Sequence, residues 1–232
     1  SFGSIIGYKE NGAIMHYSAP KEGSKSVTND SSILVDSGGQ YLEGTTDITR
    51  TLALGAVSAE FKRNSTLALK GLIRLSMVKF PKGTRGVQLD AFARLALWKE
   101  GKDYNHGTGH GVGSFMNVHE GPQNIRKDMN FQELIPGMVL SNEPGFYWEN
   151  HYGIRHENLI AVKESKTTEF GTFYEFETLT ICPFDRNVIA TSLLTQPEKD
   201  WLNSYHEWCR VKLENDLEGE VKEWFLEQVK PL

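Results

Sequence analysis

The chain has 232 residues, of which 39% are hydrophobic and 11% aromatic, and its formal net charge is −5. This hydrophobic content is enough to build a folded core, so the composition excludes an intrinsically disordered chain. The negative charge and the lack of long basic runs argue against nucleic acid and against an anionic membrane as partners.

The N-terminal part of the chain predicts short strands and an exposed loop. Apolar residues at 5–6 and at 13–17 predict two strand segments, separated by a turn at Asn11 and Gly12. The polar stretch 20–32 then predicts a solvated loop.

Two carboxylates lie on the next two β-rich runs. Residues 33–39 form a short apolar run that ends in Asp36 and a glycine turn, and Asp47 lies within the run 45–52. Runs this close in sequence pair as neighbouring antiparallel strands. We therefore expect the carboxyl groups of Asp36 and Asp47 to face each other.

Two scaffold helices are predicted next. Ser58 and Glu60 predict a helix N-terminus, because a hydroxyl cap and a first-turn acid both satisfy exposed backbone N–H groups. This helix spans 58–80, and its core residues recur at helical spacing: Leu69, Leu72, Ile73, Ser76 and Phe80. A second helix spans 86–100, and we expect its packing face to carry Val87, Ala91, Leu95 and Trp98.

The stretch 106–122 is the most unusual part of the sequence. It contains three of the seven histidines, His106, His110 and His119, interleaved with glycines. Because glycine lets backbone or ligand approach closely, this stretch predicts a compact wall of imidazoles. No G-x-G-x-x-G register fits, which excludes a dinucleotide-binding loop.

A second carboxylate hairpin follows. Residues 138–145 and 152–160 predict its two arms, with a tip at 149–151, and the arms carry Glu143 and Glu157. Each of the two hairpins carries two acids and adjoins a histidine, which suggests an internally duplicated half. The histidines are His16 before the first hairpin and His110 before the second.

Four carboxylates and one imidazole in a strand-built cavity would form an oxygen-rich site for two divalent cations. Residues opposite each other on antiparallel strands have Cβ atoms about 4.5–5.5 Å apart. One carboxylate could then bridge two metals about 3.5–4 Å apart. The absence of H-E-x-x-H disfavours a thermolysin-like zinc site, and acids on strands disfavour a helical di-iron site.

Four blocks of the sequence, in order, resemble the cytosolic Xaa-Pro aminopeptidase (aminopeptidase P) branch of the pita-bread metallopeptidases. The blocks are VDSGGQYLEGTTDITRT, HGTGHGVGSFMNVHEGP, NEPGFY and GIRHENL. The spacings also agree, with 11 residues from Asp36 to Asp47 and 14 from Glu143 to Glu157. The resemblance implies an α+β pita-bread fold, in which pseudo-twofold curved antiparallel sheets have helices outside.

The resemblance implies a dinuclear centre held by Asp36, Asp47, His110, Glu143 and Glu157. Asp47 and Glu157 would bridge the two metals. Asp36 would complete the coordination of one metal, and His110 and Glu143 would complete that of the other. The metals would be manganese, with zinc or cobalt possible. A metal-bound hydroxide would hydrolyse the bond between an N-terminal residue and a following proline.

The resemblance also implies roles for residues around the metals. Glu143 would take the proton of the nucleophile, and His119 would donate a hydrogen bond to the developing oxyanion. His16 and His106 would line the cleft for peptides with proline at the second position. Arg155 would orient the carboxylates.

Other functions on the same fold stay open at this point. A prolidase-like dipeptidase would use the same ligands. Creatinase needs no metal, so the intact ligand set disfavours it, and the HGTGHGVG block and the tail block WLNSYHEWCR disfavour methionine aminopeptidase. A truncated, non-catalytic pita-bread binding module is the alternative from a different class.

The resemblance and the tail predict the domain organisation. Residues 1–195 would form the catalytic domain, and 196–232 a C-terminal helical extension offering a homodimer surface of Trp201, Tyr205, Trp208 and Trp224. Because the chain starts abruptly, we expect an N-terminally truncated fragment of a cytoplasmic protein. It would lack the first helix pair of the fold and the upstream domains. Apolar residues at 5–6, 14 and 33–35 would then form an uncovered face.

The remaining histidines and cysteines suggest no chemistry. His156 departs from the family pattern, and strand alternation predicts that it points behind the site. His151 at the hairpin tip and His206 in the tail would be surface or packing residues. Cys182 and Cys209 are far apart, so neither a disulfide framework nor a zinc ribbon is expected.

Overall fold

The computed structural model describes residues 1–232 and has a mixed α and β fold. The first half contains β1 (Ile5–Tyr8), β2 (Ser32–Ser37), β3 (Gln40–Tyr41), β4 (Gly44–Thr45), β5 (Ile48–Ala53) and α1 (Ala59–Met77). The second half contains β6 (Lys79–Pro81), α2 (Gly86–Trp98), β7 (Gly109–His110), β8 (Asn124–Ile125), β9 (Val139–Asn142), β10 (Gly145–Trp148), β11 (Tyr152–Arg155), β12 (Asn158–Thr168) and β13 (Gly171–Thr178). The C-terminal region contains α3 (Gln196–Leu213) and α4 (Gly219–Gln228).

Two antiparallel sheets hold the carboxylate-bearing segments. One has the strand order β1-β2-β5, and the other has the order β6-β13-β12-β9. In the first sheet Asp36 pairs with Thr49, and in the second Asn142 pairs with Asn158. The ribbon β10–β11 continues beyond the second sheet. The predicted hairpins are therefore confirmed, and Glu143 lies where one arm leaves the sheet.

Helix α1 is the central scaffold element. Its N-terminus forms as predicted, with the Phe61 backbone N–H donating to the Ser58 Oγ at 3.0 Å. Leu69, Leu72 and Ile73 are fully buried in the core. The predicted C-terminal end was wrong, because the helix ends at Met77 and Phe80 lies in β6, paired with Tyr174 of β13.

The predicted packing face of α2 was also wrong. Leu95 and Trp98 are 41% and 43% exposed, whereas the buried face carries Leu89, Ala93, Arg94, Ala96 and Leu97. The helix has apolar residues on two stripes, and only one can face α1. The close approach of the two helices selects the stripe with Ala93, since a Cβ on Gly71 of α1 would lie 2.1 Å from the Ala93 carbonyl oxygen.

The N-terminal segment differs from its prediction between residues 9 and 17. Lys9–Ala13 form a 3-10 turn, and residues 13–17 form no strand. The turn packs against the second hairpin backbone to backbone. A Cβ on Gly153 would lie 1.7 Å from the Gly12 carbonyl oxygen, so only glycine allows this contact. The first-half sheet is joined there to the hairpin that carries Glu157.

The C-terminal helices pack into the main core. Leu202, Tyr205 and Phe225 share one buried cluster with Leu72 of α1 and Ile154 of β11. Of the four tail aromatic residues predicted to form an exposed surface, Tyr205 is buried, Trp201 and Trp208 pack against this cluster, and Trp224 is 54% exposed. The division at residue 195 stays a prediction.

The predicted apolar face is uncovered only in part. Ile6 and Ile14 are 44% and 53% exposed, but Ile33 and Leu34 are buried. Tyr8 is also buried, and its hydroxyl forms a 2.7 Å hydrogen bond with Thr28 in the loop before β2. None of the helices is long and apolar enough to cross a membrane.

Candidate metal centre

All nine sequence-predicted site residues line one cleft of about 980 Å³. They comprise the five proposed metal ligands and four neighbouring side chains: Asp36, Asp47, His110, Glu143 and Glu157, with His16, His106, His119 and Arg155. His16 lies exposed at the rim, whereas Asp36, Asp47 and Glu157 are buried. The fold thus brings together residues separated by up to 141 positions in the chain, from His16 to Glu157.

Backbone hydrogen bonds hold the two glutamates where strands are interrupted. The Glu143 N–H donates to the Thr108 carbonyl at 2.8 Å, between β9 and β10. The Glu157 N–H donates to the Thr49 carbonyl at 3.0 Å, between β11 and β12. Each glutamate leaves its own sheet ladder and is tied to another segment. Both side chains can therefore turn into the cleft without unpaired backbone groups.

The closest ligand atoms surround the His110 imidazole. Its Nε2 lies 3.3 Å from the Asp47 Oδ2 and 3.5 Å from the Glu143 Oε1. Ligand atoms of Asp47, His110 and Glu157 lie within 4.8 Å of one another. The His110 Nδ1 lies 3.0 Å from the Gly111 carbonyl, to which it donates in the Nδ1–H tautomer. Nε2 is then the ring nitrogen that faces both carboxylates, and its lone pair would be available to a cation bound between them.

Arg155 joins the acids of the two hairpins. Its Nη2 donates to the Asp36 Oδ2 at 2.6 Å, and its Nε lies 4.0 Å from the Glu143 Oε2. The same Nε donates to the Thr49 Oγ at 3.2 Å, and that hydroxyl donates to the Glu157 Oε2 at 2.7 Å. These contacts support the predicted orienting role of Arg155.

Sequence reasoning missed Thr49, Ser141 and Tyr147 as parts of the site. The Tyr147 hydroxyl accepts from the Arg155 Nη1 at 2.9 Å and lies 2.9 Å from the His106 Nε2. The Ser141 Oγ accepts from the His110 N–H at 2.9 Å. Thr49 is two positions after Asp47, and strand alternation could have indicated that it faces the same side. Ser141, two positions before Glu143, gives the same alternation signal, whereas the contact of Tyr147 with His106 joins positions 41 residues apart and gives none.

The site is electrostatically strained without a compensating cation. Burial and the neighbouring carboxylates raise the pKa of Glu157 well above its usual value. Burial likewise raises the pKa of Glu143 to about 7, against the opposing charges of His110 and Arg155. Burial raises the pKa of Asp36, although Arg155 lowers it. The Asp36 Oδ1 is buried without a hydrogen-bond partner. These oxygens fit hard divalent cations, which would compensate their charge.

The three histidines of the cleft have different environments. Burial opposes charge on His110, but the hydrogen bond to Asp47 and the charge of Glu143 outweigh it and raise its pKa. Burial lowers the pKa of His106 to about 3, so its ring is neutral. Burial and the charge of His110 lower the pKa of His119, whose ring lies 4.1 Å from that of His110.

His156 lies behind the centre, as predicted. It is fully buried, its Nε2 lies 2.9 Å from the Ser65 Oγ, and its Nδ1 has no partner. Burial lowers its pKa to about 3. His206 is a packing residue whose Nε2 accepts from the Phe184 N–H at 3.1 Å. His151 is exposed at the hairpin tip, and both cysteines are free.

Comparison with known proteins identifies related sequences. The model of metallopeptidase family M24 matches residues 1–164, and that of the C-terminal region of peptidase M24 matches 172–232. The "Probable Xaa-Pro aminopeptidase P" of Sordaria macrospora is 50% identical over 239 residues, covering 100% of this chain and 39% of the relative. "Aminopeptidase P2" of Arabidopsis thaliana is 46% identical over 237 residues, covering 100% of this chain and 33% of the relative.

Solved structures give the same relationship. The X-prolyl aminopeptidase of Caenorhabditis elegans, described as a cytosolic enzyme with a di-nuclear active site, matches with a TM-score of 0.93 and 39% identity. That match covers 100% of this chain and 38% of the other. The X-Pro aminopeptidase of Thermotoga maritima matches with a TM-score of 0.66 and 31% identity, covering 78% of this chain and 47% of the other.

These relatives confirm the resemblance and the pita-bread fold that it implied. The chain spans only 39% of the length of the Sordaria relative and 33% of that of the Arabidopsis relative. The family model for the metallopeptidase covers well over half of the 232 residues. The chain therefore belongs to metallopeptidase family M24.

Proposed function

We propose that this chain forms the catalytic part of a dinuclear Xaa-Pro aminopeptidase. The observation that carries this proposal is the convergence of five metal-binding side chains in one cleft, in a chain 50% identical to a probable Xaa-Pro aminopeptidase P. The substrates would be peptides with a free N-terminus and proline at the second position. The activity for which the relatives are named supports the substrate class, and the donor set supports the metal chemistry.

The five proposed ligands divide between the hairpins. Asp47 and Glu157 would bridge two metal ions. Asp36 would complete the coordination of one ion, and His110 and Glu143 would complete that of the other. When bound, the ions, which we propose to be Mn²⁺ with Zn²⁺ or Co²⁺ as alternatives, supply Lewis-acid polarisation of the scissile carbonyl and an activated water. The buried and unpartnered Asp36 Oδ1 supports a ligand role for this residue.

The surrounding side chains would manage protons and charge. Glu143 would accept and return a proton, since its carboxylate lines the same cleft as the other proposed ligands. His119 would donate a hydrogen bond to the carbonyl oxygen as negative charge develops on it. His106, neutral and held by Tyr147, would line the cleft together with His16. Arg155 would orient Asp36 through their 2.6 Å ion pair.

We also propose a cytoplasmic homodimer that uses the C-terminal region. The description of the C. elegans relative as cytosolic supports the location. Trp224, Val221 and Val211 are 54–60% exposed and support a contact surface there. Because Tyr205 is buried, this surface is smaller than the four-residue surface predicted from the sequence. Light scattering on Trp224→Glu tests it, and an unchanged dimer would contradict this placement.

The proposed function is tested by peptide hydrolysis with metal control. The intact protein is dialysed against a chelator, loaded with Mn²⁺ and assayed on matched tripeptides that have proline or alanine at the second position, and on an Xaa-Pro dipeptide. We expect two ions per chain, cleavage of the proline peptide and little cleavage of the alanine peptide. Cleavage restricted to dipeptides would favour the prolidase alternative, and zero bound metal would favour the binding-module alternative.

A further inference from the structure

A second buried arginine lies behind the metal centre. Arg50 follows Thr49 on β5, so its side chain leaves the face of the strand opposite to the cleft. It is 5% exposed, and its guanidinium lies 4.0 Å over the ring of Phe184. Unlike Arg155, it forms no ion pair with a carboxylate.

The Arg50 guanidinium is surrounded by six neutral oxygen acceptors. They are the carbonyls of Thr49 (3.0 Å), Glu157, Cys182 (2.6 Å) and Pro183 (3.1 Å), the Asn158 Oδ1 (2.7 Å) and the Tyr205 hydroxyl (3.1 Å). A buried charge costs free energy unless it is fully hydrogen-bonded, and here every acceptor comes from the protein. Four separate segments therefore depend on one side chain for their relative position.

Two of these segments carry proposed bridging ligands. The Arg50 Nη1 donates to the Thr49 carbonyl, two residues after Asp47, and to the carbonyl of Glu157 itself. The Glu157 N–H donates to the same Thr49 carbonyl. The guanidinium thus closes a small hydrogen-bonded ring with both backbones. Its geometry fixes the distance between the segments that carry Asp47 and Glu157.

Tyr205 connects this ring to the C-terminal region. Its hydroxyl accepts from the Arg50 Nη2 and is within 2.7 Å of the Cys182 carbonyl and 2.9 Å of the Thr180 carbonyl. Its ring stacks on Trp201, with centroids 5.3 Å apart and an interplanar angle of 6°. Helix α3 is therefore joined to the Arg50 guanidinium through the Tyr205 hydroxyl, beside the contact of His206 with the Phe184 backbone.

We propose that Arg50 is a positioning residue, held by Tyr205, through which the C-terminal helices set the spacing of Asp47 and Glu157. Metal sites need their ligands held within about 0.5 Å of the productive geometry, and supporting partners of metal ligands change metal affinity by about 10–100-fold. This inference rests on the proposed dinuclear site. It assigns to the C-terminal region a role in metal binding in addition to core packing.

The test compares Arg50→Lys and Tyr205→Phe in the intact protein by calorimetric titration of the metal-free form with Mn²⁺. Lysine keeps the charge but cannot reach both backbones with a planar fork. We expect Arg50→Lys to weaken the binding of Mn²⁺ by about 10–100-fold. Tyr205→Phe removes only the hydroxyl and is expected to weaken it less, by roughly 3–10-fold, because this hydroxyl acts on the ligands only through Arg50.

Tyr152→Phe is the matched control. Its hydroxyl accepts from the Asn64 side chain at 2.8 Å, and its ring packs against the same core, away from the proposed ligands. This control should lower the melting temperature of the metal-free protein about as much as Tyr205→Phe does, with unchanged Mn²⁺ affinity.

The inference is overturned if Arg50→Lys and Tyr205→Phe lower the melting temperature but leave the Mn²⁺ affinities within twofold of wild type. Such a result would make both residues purely structural. Failure of the proposed function would show separately. In that case the two variants would alter Mn²⁺ affinity as expected, while the wild-type protein would cleave no Xaa-Pro peptide.

Discussion

The front and rear of the candidate metal centre use the same residue types for different purposes. In front, His110 and Arg155 contact the carboxylates of Asp47 and Asp36. At the rear, His156 contacts a serine hydroxyl and Arg50 contacts neutral oxygens. The pKa of His110, which contacts carboxylates, is raised, whereas burial lowers that of His156 to about 3. The kind of oxygen that each side chain contacts, a carboxylate in front and a neutral oxygen at the rear, therefore distinguishes residues of the proposed site from residues that support it.

Exposure follows the same division. The front opens into the cleft, where a substrate can reach the acids, and its carboxylates repel one another. The rear is closed by Phe184, which lies 5.7 Å from the His156 ring, and by Tyr205. Variants in front should therefore act directly on metal binding and turnover. Variants at the rear should act on stability and, at Arg50 and Tyr205, on metal affinity through the spacing of the proposed ligands. The following predictions test this division.

The largest effect is expected for Asp47→Ala, in front. Loss of a proposed bridging ligand should release both metal ions and reduce Xaa-Pro cleavage by about 10³-fold or more, because metal catalysis contributes several kcal/mol. Elemental analysis after gel filtration measures the metal content. Asp216→Ala, at an exposed acid, is the control and should keep both ions. An Asp47→Ala protein with full metal content and turnover would disprove the assignment.

His119→Ala should act mainly on turnover. An oxyanion contact forms in the transition state, so kcat should fall by about 10²–10³-fold with a small change in KM. Steady-state kinetics on a proline tripeptide measures both constants, and His151→Ala at the exposed hairpin tip is the control. A rise in KM at constant kcat would instead indicate that His119 only binds substrate.

The metal-free protein should lose stability as pH rises through the neutral range. The folded-state pKa of Glu143 is raised to about 7 from 4.5, so its contribution is full below pH 4.5 and is lost as pH approaches 7. This shift corresponds to about 3 kcal/mol between those limits. Chemical unfolding at a series of pH values measures it. Saturating Mn²⁺ should abolish the trend, and a trend that persists with Mn²⁺ would contradict a ligand role for Glu143.

At the rear, His156→Leu should change the opposite limb of the pH profile. The pKa of His156 is depressed in the folded state, so wild-type stability is lost as pH falls below about 6.5 toward 3. The variant should recover on the order of 2 kcal/mol at pH 5 and keep kcat within about twofold. A large loss of kcat would show that the rear imidazole acts in the chemistry.

The proposed ligands could be predicted from the sequence more fully than the residues that hold them in place. The five proposed ligands lie in short motifs, and the pairing of two neighbouring strands is enough to bring Asp36 and Asp47 together. Arg50 and Tyr205 could not be recognised, because their contact joins positions 155 residues apart. The contact of Thr49 with Arg155 also spans 106 residues, although strand alternation places Thr49 on the same face as Asp47. Local pattern carries no information about such pairs.

The fold shows the same limit in α2. Its sequence offers two apolar stripes, and periodicity alone selected the exposed one with Leu95 and Trp98. The buried side includes Arg94, which looks like a surface residue. Its charge is satisfied by Asp90, by Asp103 and by the carbonyls of Tyr104 and His106. Burial of this face depends on partners outside the helix, and hydrophobic spacing cannot show them.

The position of Tyr205 in the chain has a consequence for synthesis of the protein. Chains emerge from the ribosome at about 5–20 residues per second, with N-terminal parts folding first. Tyr205 follows Glu157 by 48 residues, which corresponds to roughly 2–10 s. If α3 braces the site as proposed, all five ligands exist during that interval without their rear support. The proposed metal centre would then gain its supported geometry only after the C-terminal helix has been translated.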